Sequence, residues 1–172
     1  KCLEAEGKFN ADDEKTFAPI YDVMFECYAD RQCEIAKELL QPEGGETVLE
    51  VGCATGNLAL RLAKHVGSIT AVDASPTFIE RARHKKKAAG IGNVDFLVKA
   101  YPFEAEGYDY FIMFGCNMDK IGRMPARKAL MGAMHRKNPI FDRVFEATID
   151  SAKRFDEFKR VEILKEGWPS VD

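Results

Sequence analysis

The segment 47–57, with the sequence Thr-Val-Leu-Glu-Val-Gly-Cys-Ala-Thr-Gly-Asn, limits the folds open to this chain more than any other feature. Its apolar run ends in a pair of glycines, Gly52 and Gly56, and a second apolar run farther along ends in Asp73. This order is typical of a buried strand, a tight turn, the start of a helix, and an acid at the carboxyl end of the next strand. Because open α/β sheets bind ligands at that edge, the sequence predicts a nucleotide-type site there.

Glycine spacing and charge distinguish two ligand classes that use this architecture. A dinucleotide site requires the pattern G-x-G-x-x-G, in which glycines let a pyrophosphate approach the start of a helix. Counted from Gly52, the two later glycine positions hold Ala54 and Asn57. An additional acid, Glu50, would repel a pyrophosphate but suit an amine or a sulfonium. The pattern favours a cationic nucleoside, and it disfavours a nicotinamide-dependent oxidoreductase.

The pattern Glu50-x-Gly52-x-x-x-Gly56, together with Asp73, resembles the first two motifs of class I S-adenosylmethionine-dependent methyltransferases. The resemblance extends over about residues 17–114. It implies a Rossmann-like, doubly wound α/β fold with a mostly parallel sheet and flanking helices; the pattern after Phe114 leaves a reduced C-terminal half open as an alternative. It also implies S-adenosylmethionine as the cofactor and S-adenosylhomocysteine as the product.

The resemblance implies a role for each part of the predicted cofactor site. The backbone from Gly52 to Gly56 would line the methionine part of the cofactor, Asp73 would accept hydrogen bonds from both ribose hydroxyls, and Glu50 would order the loop. The cofactor-binding residues predicted in this way are Glu50, Gly52, Cys53, Ala54, Gly56, Asp73, Ala74, Ala100 and Tyr101.

Two positions depart from the family pattern. Ala54 replaces a glycine, and we expect its methyl group to be tolerated where φ stays negative. The family places an acid near Lys99 or Ala100 to accept the adenine amino group, and this chain has none there. A backbone carbonyl could replace that acid, or Tyr101 and Phe103 could hold the ring by stacking.

Methyl transfer from a sulfonium is an in-line displacement. Much of the acceleration can therefore come from holding the acceptor in line with the methyl group and excluding water. A weak acceptor also needs a base. Segment 17–22 resembles the N-terminal helix of small-molecule methyltransferases, including the quinone-biosynthesis type, and it offers Tyr21. The other candidates, Cys116, Asn117 and Asp119, follow the fourth predicted strand, and we select Tyr21, Asn117 and Asp119. Each has a structural alternative: Tyr21 as core edge, Cys116 as a buried apolar residue, and Asp119 as a helix cap.

The periodicity predicts alternating helices and strands. The predicted strands span 47–51, 68–72, 94–98 and 109–114. The predicted helices span 21–40 and 57–65, with a third capped by Asp73 or Ser75 that buries Phe78, Ile79, Ala82 and Ala89. Farther on we expect helices over 125–135 and 141–158 and a final strand over 160–164. The family usually places a fifth strand after a proline-glycine-glycine turn, and the nearest counterpart of that turn is segment 137–140, which has no glycine pair and no clear strand after it.

The domain assignment is a polar leader at 1–16 and one domain at 17–172. Within that domain we assign an N-terminal helical lid to 17–45, the cofactor-binding half to 46–114 and a C-terminal half to 115–172.

Charge and composition bear on partners and location. The chain has 25 basic and 28 acidic residues, and we interpret the basic run 81–87 as a solvated helix face. We therefore expect a small-molecule acceptor rather than nucleic acid.

Five irregularly spaced cysteines and three scattered histidines predict no disulfide framework and no metal site. The absence of a long apolar run predicts a soluble cytoplasmic protein without membrane insertion, and a shortened sheet makes a homodimer reasonable.

Two functional hypotheses follow. The first is S-adenosylmethionine-dependent methyl transfer to a small or medium organic acceptor. The alternative is a catalytically degenerate relative that acts as a binding or regulatory partner, because Ala54, the missing acid near Ala100 and the abbreviated second half could each weaken catalysis.

Overall fold

A computed structural model describes residues 11–100, 103–114 and 126–132. In chain order, its elements are α1 (Ala11–Leu40), β1 (Thr47–Val51), α2 (Asn57–Leu62, continued by a 3-10 turn at Ala63–His65), β2 (Ser68–Asp73), α3 (Pro76–Ala88), β3 (Val94–Val98), β4 (Tyr108–Phe114) and β5 (Ala126–Gly132). None of these described helices is long and apolar enough to cross a membrane.

The five described strands form one sheet in the order β3-β2-β1-β4-β5. Every neighbouring pair is parallel. The chain builds outward from β1 to β3 and then returns to the other side of β1 with β4. This reversal opens a crevice at the carboxyl ends of β1 and β4, which is where α/β sheets bind ligands. The predicted Rossmann-like α/β fold is confirmed.

The sheet is buried on both faces, as its apolar strands predict. One face packs against the three helices through residues that include Val48, Ile69 and Ile112. The opposite face carries Leu49, Val51, Val72, Phe111 and Met113, each at most 3% exposed. Since side chains alternate along a strand, Glu50 lies on the helix-covered face together with Val48.

Helix α1 precedes β1 through a short turn and begins earlier than expected. It starts at Ala11, so residues 11–16, which the sequence assigned to the polar leader, are helical. Its C-terminal half packs on the sheet through Cys33, Ile35, Ala36 and Leu40. The helix ends where Gln41 takes a positive φ of 50°. Because α1 leads into the start of β1, its N-terminal half rises towards the carboxyl edge of the sheet.

The third helix confirms one of the two predicted caps. The Ser75 hydroxyl oxygen accepts a hydrogen bond from the Phe78 amide at 3.2 Å, and Pro76 occupies the first turn. Ile79 and Ala82 are buried as predicted. The prediction for Ala89 is wrong, because this residue caps the C-terminus of α3 and is exposed.

The predicted helix over 125–135 is wrong, since residues 126–132 form strand β5. Its sequence, Ala-Arg-Lys-Ala-Leu-Met-Gly, consists almost entirely of strong helix formers, which explains the local prediction. Parallel pairing with β4 overrides that preference, with Tyr110 opposite Lys128 and Ile112 opposite Leu130. The fifth strand therefore precedes segment 137–140, where the sequence suggested its approach. The helix predicted over 141–158 and the strand over 160–164 lie outside the described residues.

Candidate cofactor site

The loop between β1 and α2 is a tight turn fixed to the end of β2. The amides of Gly52 and Cys53 both donate to the Val72 carbonyl oxygen, at 2.8 and 3.0 Å. The Gly56 amide donates back to the Cys53 carbonyl oxygen at 2.8 Å. These bonds bring the first predicted motif against the second at the carboxyl edge of the sheet.

Gly56 is required by both its conformation and its surroundings. Its φ is +76°, which strains any L side chain, and it is the N-cap residue that precedes α2. A Cβ atom built at this position would lie 2.5 Å from Cζ of the buried Phe96 ring and 3.1 Å from the Ala82 Cβ. The absence of a side chain at Gly56 therefore permits the loop, the helix and the sheet to pack closely.

Ala54 has a positive φ, although its methyl group was expected to be tolerated only where φ is negative. Its φ is 45°, in the left-handed region, which costs an L residue roughly 1–2 kcal/mol. The Ala54 amide donates to Asp73 Oδ2 at 2.8 Å, and this bond holds the residue in that conformation. Gly52, with a φ of 74°, adds a further left-handed residue to the same turn.

Asp73 uses both carboxylate oxygens within the loop structure. Oδ2 accepts from the Ala54 amide, and Oδ1 accepts from the Ser75 amide at 2.9 Å. The Lys99 amide donates to the Asp73 backbone oxygen at 2.8 Å, which brings the end of β3 to the same place. A carboxylate offers about four lone-pair positions, so these two bonds are compatible with further hydrogen bonds to a ribose.

Glu50 is buried beneath the loop, with only 6% of its surface exposed. Burial, and next the neighbouring charge of Asp73, raise the pKa of Glu50 to about 8, while a hydrogen bond from the Ala59 amide opposes the shift. At pH 7 the carboxyl group therefore holds its proton in most molecules. The bond from Ala59 places Glu50 under the first turn of α2, a position that suits the predicted role of ordering the loop.

Tyr21 lies in a group of aromatic rings between α1 and α3. Its ring stacks on Phe25 with centroids 4.4 Å apart. It also contacts Phe78 at 5.2 Å and Phe17 at 6.0 Å. Phe78 lies in the first turn of α3, directly after the Asp73 motif, so the N-terminal half of α1 borders the predicted cofactor site.

A polar cluster that no sequence pattern indicated joins the loop to α1 and α3. Asp22 of α1 pairs with Arg81 and Lys85 of α3 and accepts a hydrogen bond from the Thr55 hydroxyl. The interpretation of segment 81–87 as a solvated face is therefore wrong for Arg81 and Lys85. Arg83 is also engaged, since its guanidinium donates to the Phe96 carbonyl oxygen at 3.0 and 2.6 Å.

Only some of the remaining residues predicted for the cofactor and catalytic sites lie within the part of the chain that the structure describes. Ala74 and Ala100 are exposed, and Cys53 is buried within the loop. The Lys99 ammonium lies 3.9 Å from the centroid of the Phe103 ring. Tyr101, Cys116, Asn117 and Asp119 lie outside the residues that the structure describes.

The fold and this loop define the class I S-adenosylmethionine-dependent methyltransferase architecture. The methyltransferase-domain family matches residues 48–137, just over half of the chain. The chain therefore belongs to this family.

Two relatives and one solved structure illustrate the similarity. A 2-phytyl-1,4-naphtoquinone methyltransferase from Trichormus variabilis is 32% identical over 151 residues, covering 75% of this chain and 66% of the relative. A 23S rRNA (uracil(1939)-C(5))-methyltransferase from Xylella fastidiosa is 33% identical over 85 residues, covering 45% of this chain. The chain spans 19% of the length of that rRNA enzyme. The solved structure is that of a proposed S-adenosyl-L-methionine-dependent methyltransferase from Methanococcus maripaludis. It matches with a TM-score of 0.54 and 21% identity, and the match covers 67% of this chain and 54% of that one. This match shows the shared fold.

These relatives overturn the expectation of a small-molecule rather than a nucleic-acid partner. Several of them are rRNA uracil methyltransferases, from Xylella fastidiosa and Hahella chejuensis among others. The expectation rested on net charge, which measures only a general electrostatic attraction to nucleic acid. A domain that matches a fifth of an RNA methyltransferase need not carry the whole RNA-binding surface of that protein, so its charge balance is a poor guide to the acceptor.

Proposed function

We propose that this domain binds S-adenosylmethionine at the carboxyl edge of its sheet and transfers the methyl group by in-line displacement. The observation that carries the proposal is the left-handed turn at 52–56, held to β2 by Asp73 and bordered by α1. Family membership supports it. We also propose that 17–172 form one domain, with 17–45 as its lid, 46–114 as its cofactor-binding half and 115–172 as its C-terminal half.

The described residues fit the chemistry of this cofactor. The turn from Gly52 to Gly56 lets the ligand approach the backbone closely, as the methionine part requires. Asp73 supplies a carboxylate for the ribose, and Ala74, Ala100 and Tyr101 follow as the proposed adenine contacts. When bound, the cofactor supplies an electrophilic methyl group on a sulfonium cation, which suits the Asp73 carboxylate nearby. Glu50 is mostly protonated at pH 7, so its proposed contribution is to order the loop rather than to supply charge.

The contribution of the protein is to position the reactants and exclude water. The rings of Tyr21, Phe25 and Phe78 form an apolar wall between α1 and α3. Closing this wall over the site would exclude water and align the acceptor. Tyr21 is the proposed base on the described side of the site, and Asn117 and Asp119 are the proposed partners after β4.

A planar conjugated ring is the acceptor chemistry that we propose. The relatives named for their substrates act on a uracil and on a naphthoquinone, and both are rings of this kind. Aromatic side chains stack on such rings, and the group around Tyr21 would offer those contacts. The two sources of the ring, a nucleobase in RNA and a free quinone, are distinguished by assay.

The first experiment is calorimetric titration of the purified chain with S-adenosylmethionine and S-adenosylhomocysteine, with NAD as a control. We expect micromolar binding of both sulfur ligands and none of NAD. Asp73→Ala should weaken that binding, whereas Asp95→Ala, which removes an exposed acid from β3, should not. Failure of both sulfur ligands to bind would favour the catalytically degenerate partner protein.

The second experiment follows transfer of a labelled methyl group to two acceptors in parallel. One is a transcript of 23S rRNA that contains uracil targets, and the other is a reduced naphthoquinone in detergent. Label in one acceptor identifies the source of the ring. Binding of the cofactor with label in neither acceptor would count against a planar-ring acceptor and leave cofactor binding intact.

A further inference from the structure

The cluster behind the loop joins three separate elements at one carboxylate. Asp22 Oδ1 accepts from the Thr55 hydroxyl at 2.5 Å and from Lys85 Nζ at 2.7 Å. Asp22 Oδ2 accepts from Arg81 Nε. Asp22 lies on α1, Thr55 lies in the loop between β1 and α2, and the two cations lie on α3. One side chain of the N-terminal helix therefore touches the cofactor loop directly.

The ammonium group of Lys85 joins the other members of this cluster. Lys85 uses its three hydrogens on Asp22, on Asn57 Oδ1 at 2.5 Å and on the Thr55 hydroxyl oxygen at 3.3 Å. Thr55 is fully buried, and the side chain of Asp22 is only 13% exposed. At such low exposure, losing one partner leaves the others without solvent to replace it.

The charges in this cluster fix its protonation state. Burial would raise the pKa of Asp22, but hydrogen bonds from Lys85, Thr55 and Arg81 outweigh burial and lower it. Burial lowers the pKa of Lys85, and the hydrogen bond and charge of Asp22 offset that change only in part. Asp22 is therefore ionised at neutral pH, and its negative charge holds Thr55 in place.

We propose that Asp22 is a positioning residue for the cofactor site and acts through Thr55. Thr55 lies between Ala54 and Gly56, two residues that both have a left-handed φ. Its hydroxyl is anchored by Asp22, so the strained turn is restrained from α1 at Thr55 as well as from the end of β2 at Ala54. This inference rests on the proposed function, because the turn is the part of the site that the cofactor approaches.

Coupling between α1 and the loop must act in both directions. If docking of Asp22 favours the turn that binds the cofactor, the bound cofactor favours docking of α1 by the same free energy. Cofactor binding should then order the N-terminal half of α1, which carries Tyr21. The bond between Asp22 and Thr55 links occupancy of the cofactor site to the position of the lid.

The chain offers a matched control on the same helix. Asp30 of α1 pairs with Arg61 of α2, and its side chain is 68% exposed. This ion pair also joins α1 to the body of the domain, but no hydrogen bond links Asp30 to the described residues of the cofactor loop. Asp30→Ala therefore removes a carboxylate from α1 without releasing Thr55.

The test compares S-adenosylhomocysteine affinity by calorimetry in the full chain and in four variants: Asp22→Ala, Asp30→Ala, Thr55→Val and the Asp22→Ala/Thr55→Val double variant. We expect Asp22→Ala to weaken binding about 10-fold, within the usual range for coupled sites. Asp30→Ala should change it less than about 2-fold. The double variant should bind as the weaker single variant does, because both changes break the same bond. Wild-type affinity in Asp22→Ala would overturn the proposal, and so would fully additive losses.

Amide hydrogen exchange without any ligand provides a readout that does not depend on cofactor binding. Asp22→Ala should accelerate exchange at 52–57 as well as in α1, whereas Asp30→Ala should accelerate it only near its own ion pair. Unchanged exchange at 52–57 in Asp22→Ala would overturn the proposed restraint. If Asp22→Ala fails to fold, Thr55→Val tests the same bond. Failure of the wild-type chain to bind either sulfur ligand refutes the proposed function, and the exchange comparison still tests the restraint.

Discussion

Asp73 Oδ2 accepts a hydrogen bond from the Ala54 amide at 2.8 Å, so the acid that ends β2 fixes the backbone of the loop that follows β1. Ala54 has a φ of 45°, a conformation that alanine adopts only where its surroundings impose it. The two motifs found in the sequence are therefore one hydrogen-bonded unit, in which the second stabilises a strained residue of the first.

Changes at Ala54 should show this strain. Ala54→Val should lower the free energy of unfolding by about 1–3 kcal/mol, because a β-branched residue tolerates positive φ poorly. Ala54→Gly should stay within about 1 kcal/mol of wild type, because relief of strain offsets the added entropy of the unfolded chain. Urea denaturation measures both. Ala89→Val, at an exposed position with a φ of −84°, is the control and should be nearly neutral. A neutral Ala54→Val would contradict the assigned strain.

Gly56 and Gly90 form a pair that separates conformation from packing. Both have positive φ, +76° and +66°, but a Cβ at Gly90 would meet nothing within 4 Å. Gly90→Ala should therefore cost only the left-handed conformation, about 1 kcal/mol. Gly56→Ala should cost about 1–3 kcal/mol more, because its Cβ meets the buried Phe96 ring. Equal losses in the two variants, measured by urea denaturation, would show that the ring moves aside at little cost.

The first four strands could be predicted because each is a short apolar run between turn residues. Their boundaries in the structure agree with the prediction to within one residue, as at Ser68–Asp73 and Tyr108–Phe114. Strand β5 could not be predicted in this way. Its residues favour a helix locally, and only pairing with β4 decides the outcome.

The details of the site that were missed depend on contacts between distant residues. The φ of Ala54 is fixed by Asp73, and no local pattern gives its sign. Asp22 and Lys85 are separated by 63 positions, and they meet only because α1 packs against α3. The basic run of α3 therefore resembled a solvated face, since its acidic partner belongs to another helix.

Glu50 should make stability depend on pH in an unusual direction. Its pKa rises from 4.5 to about 8 on folding, so between these values the folded protein holds a proton that the unfolded chain has released. The free energy of unfolding should therefore fall as pH rises through this window, by up to about 1.4 kcal/mol per pH unit, and level off above it. Urea denaturation at pH 5, 6.5 and 8 measures the slope.

Glu50→Gln is the matched variant, because it keeps the shape of the side chain and removes its titration. We expect its stability to vary less with pH across this window and to exceed that of wild type at the alkaline end. Asp22 and Glu46 have lowered pKa values, so the stability they contribute is lost only in acid, as pH falls below about 4.5 through their folded pKa values. The same slope in wild type and Glu50→Gln would contradict the assignment.

Tyr21 allows a direct separation of chemistry from packing. Tyr21→Phe keeps the ring that stacks on Phe25 at 4.4 Å and contacts Phe78 at 5.2 Å, and it removes only the hydroxyl. If that hydroxyl is the base, kcat should fall about 100-fold, the lower end of what a positioned acid or base contributes. The affinity for S-adenosylhomocysteine should remain unchanged, since the ring still borders the site. Tyr28→Phe, which removes a hydroxyl farther along α1, is the control and should keep the wild-type kcat. An unchanged kcat in Tyr21→Phe, combined with a loss in Tyr21→Ala, would assign Tyr21 to packing and leave the base to the residues after β4.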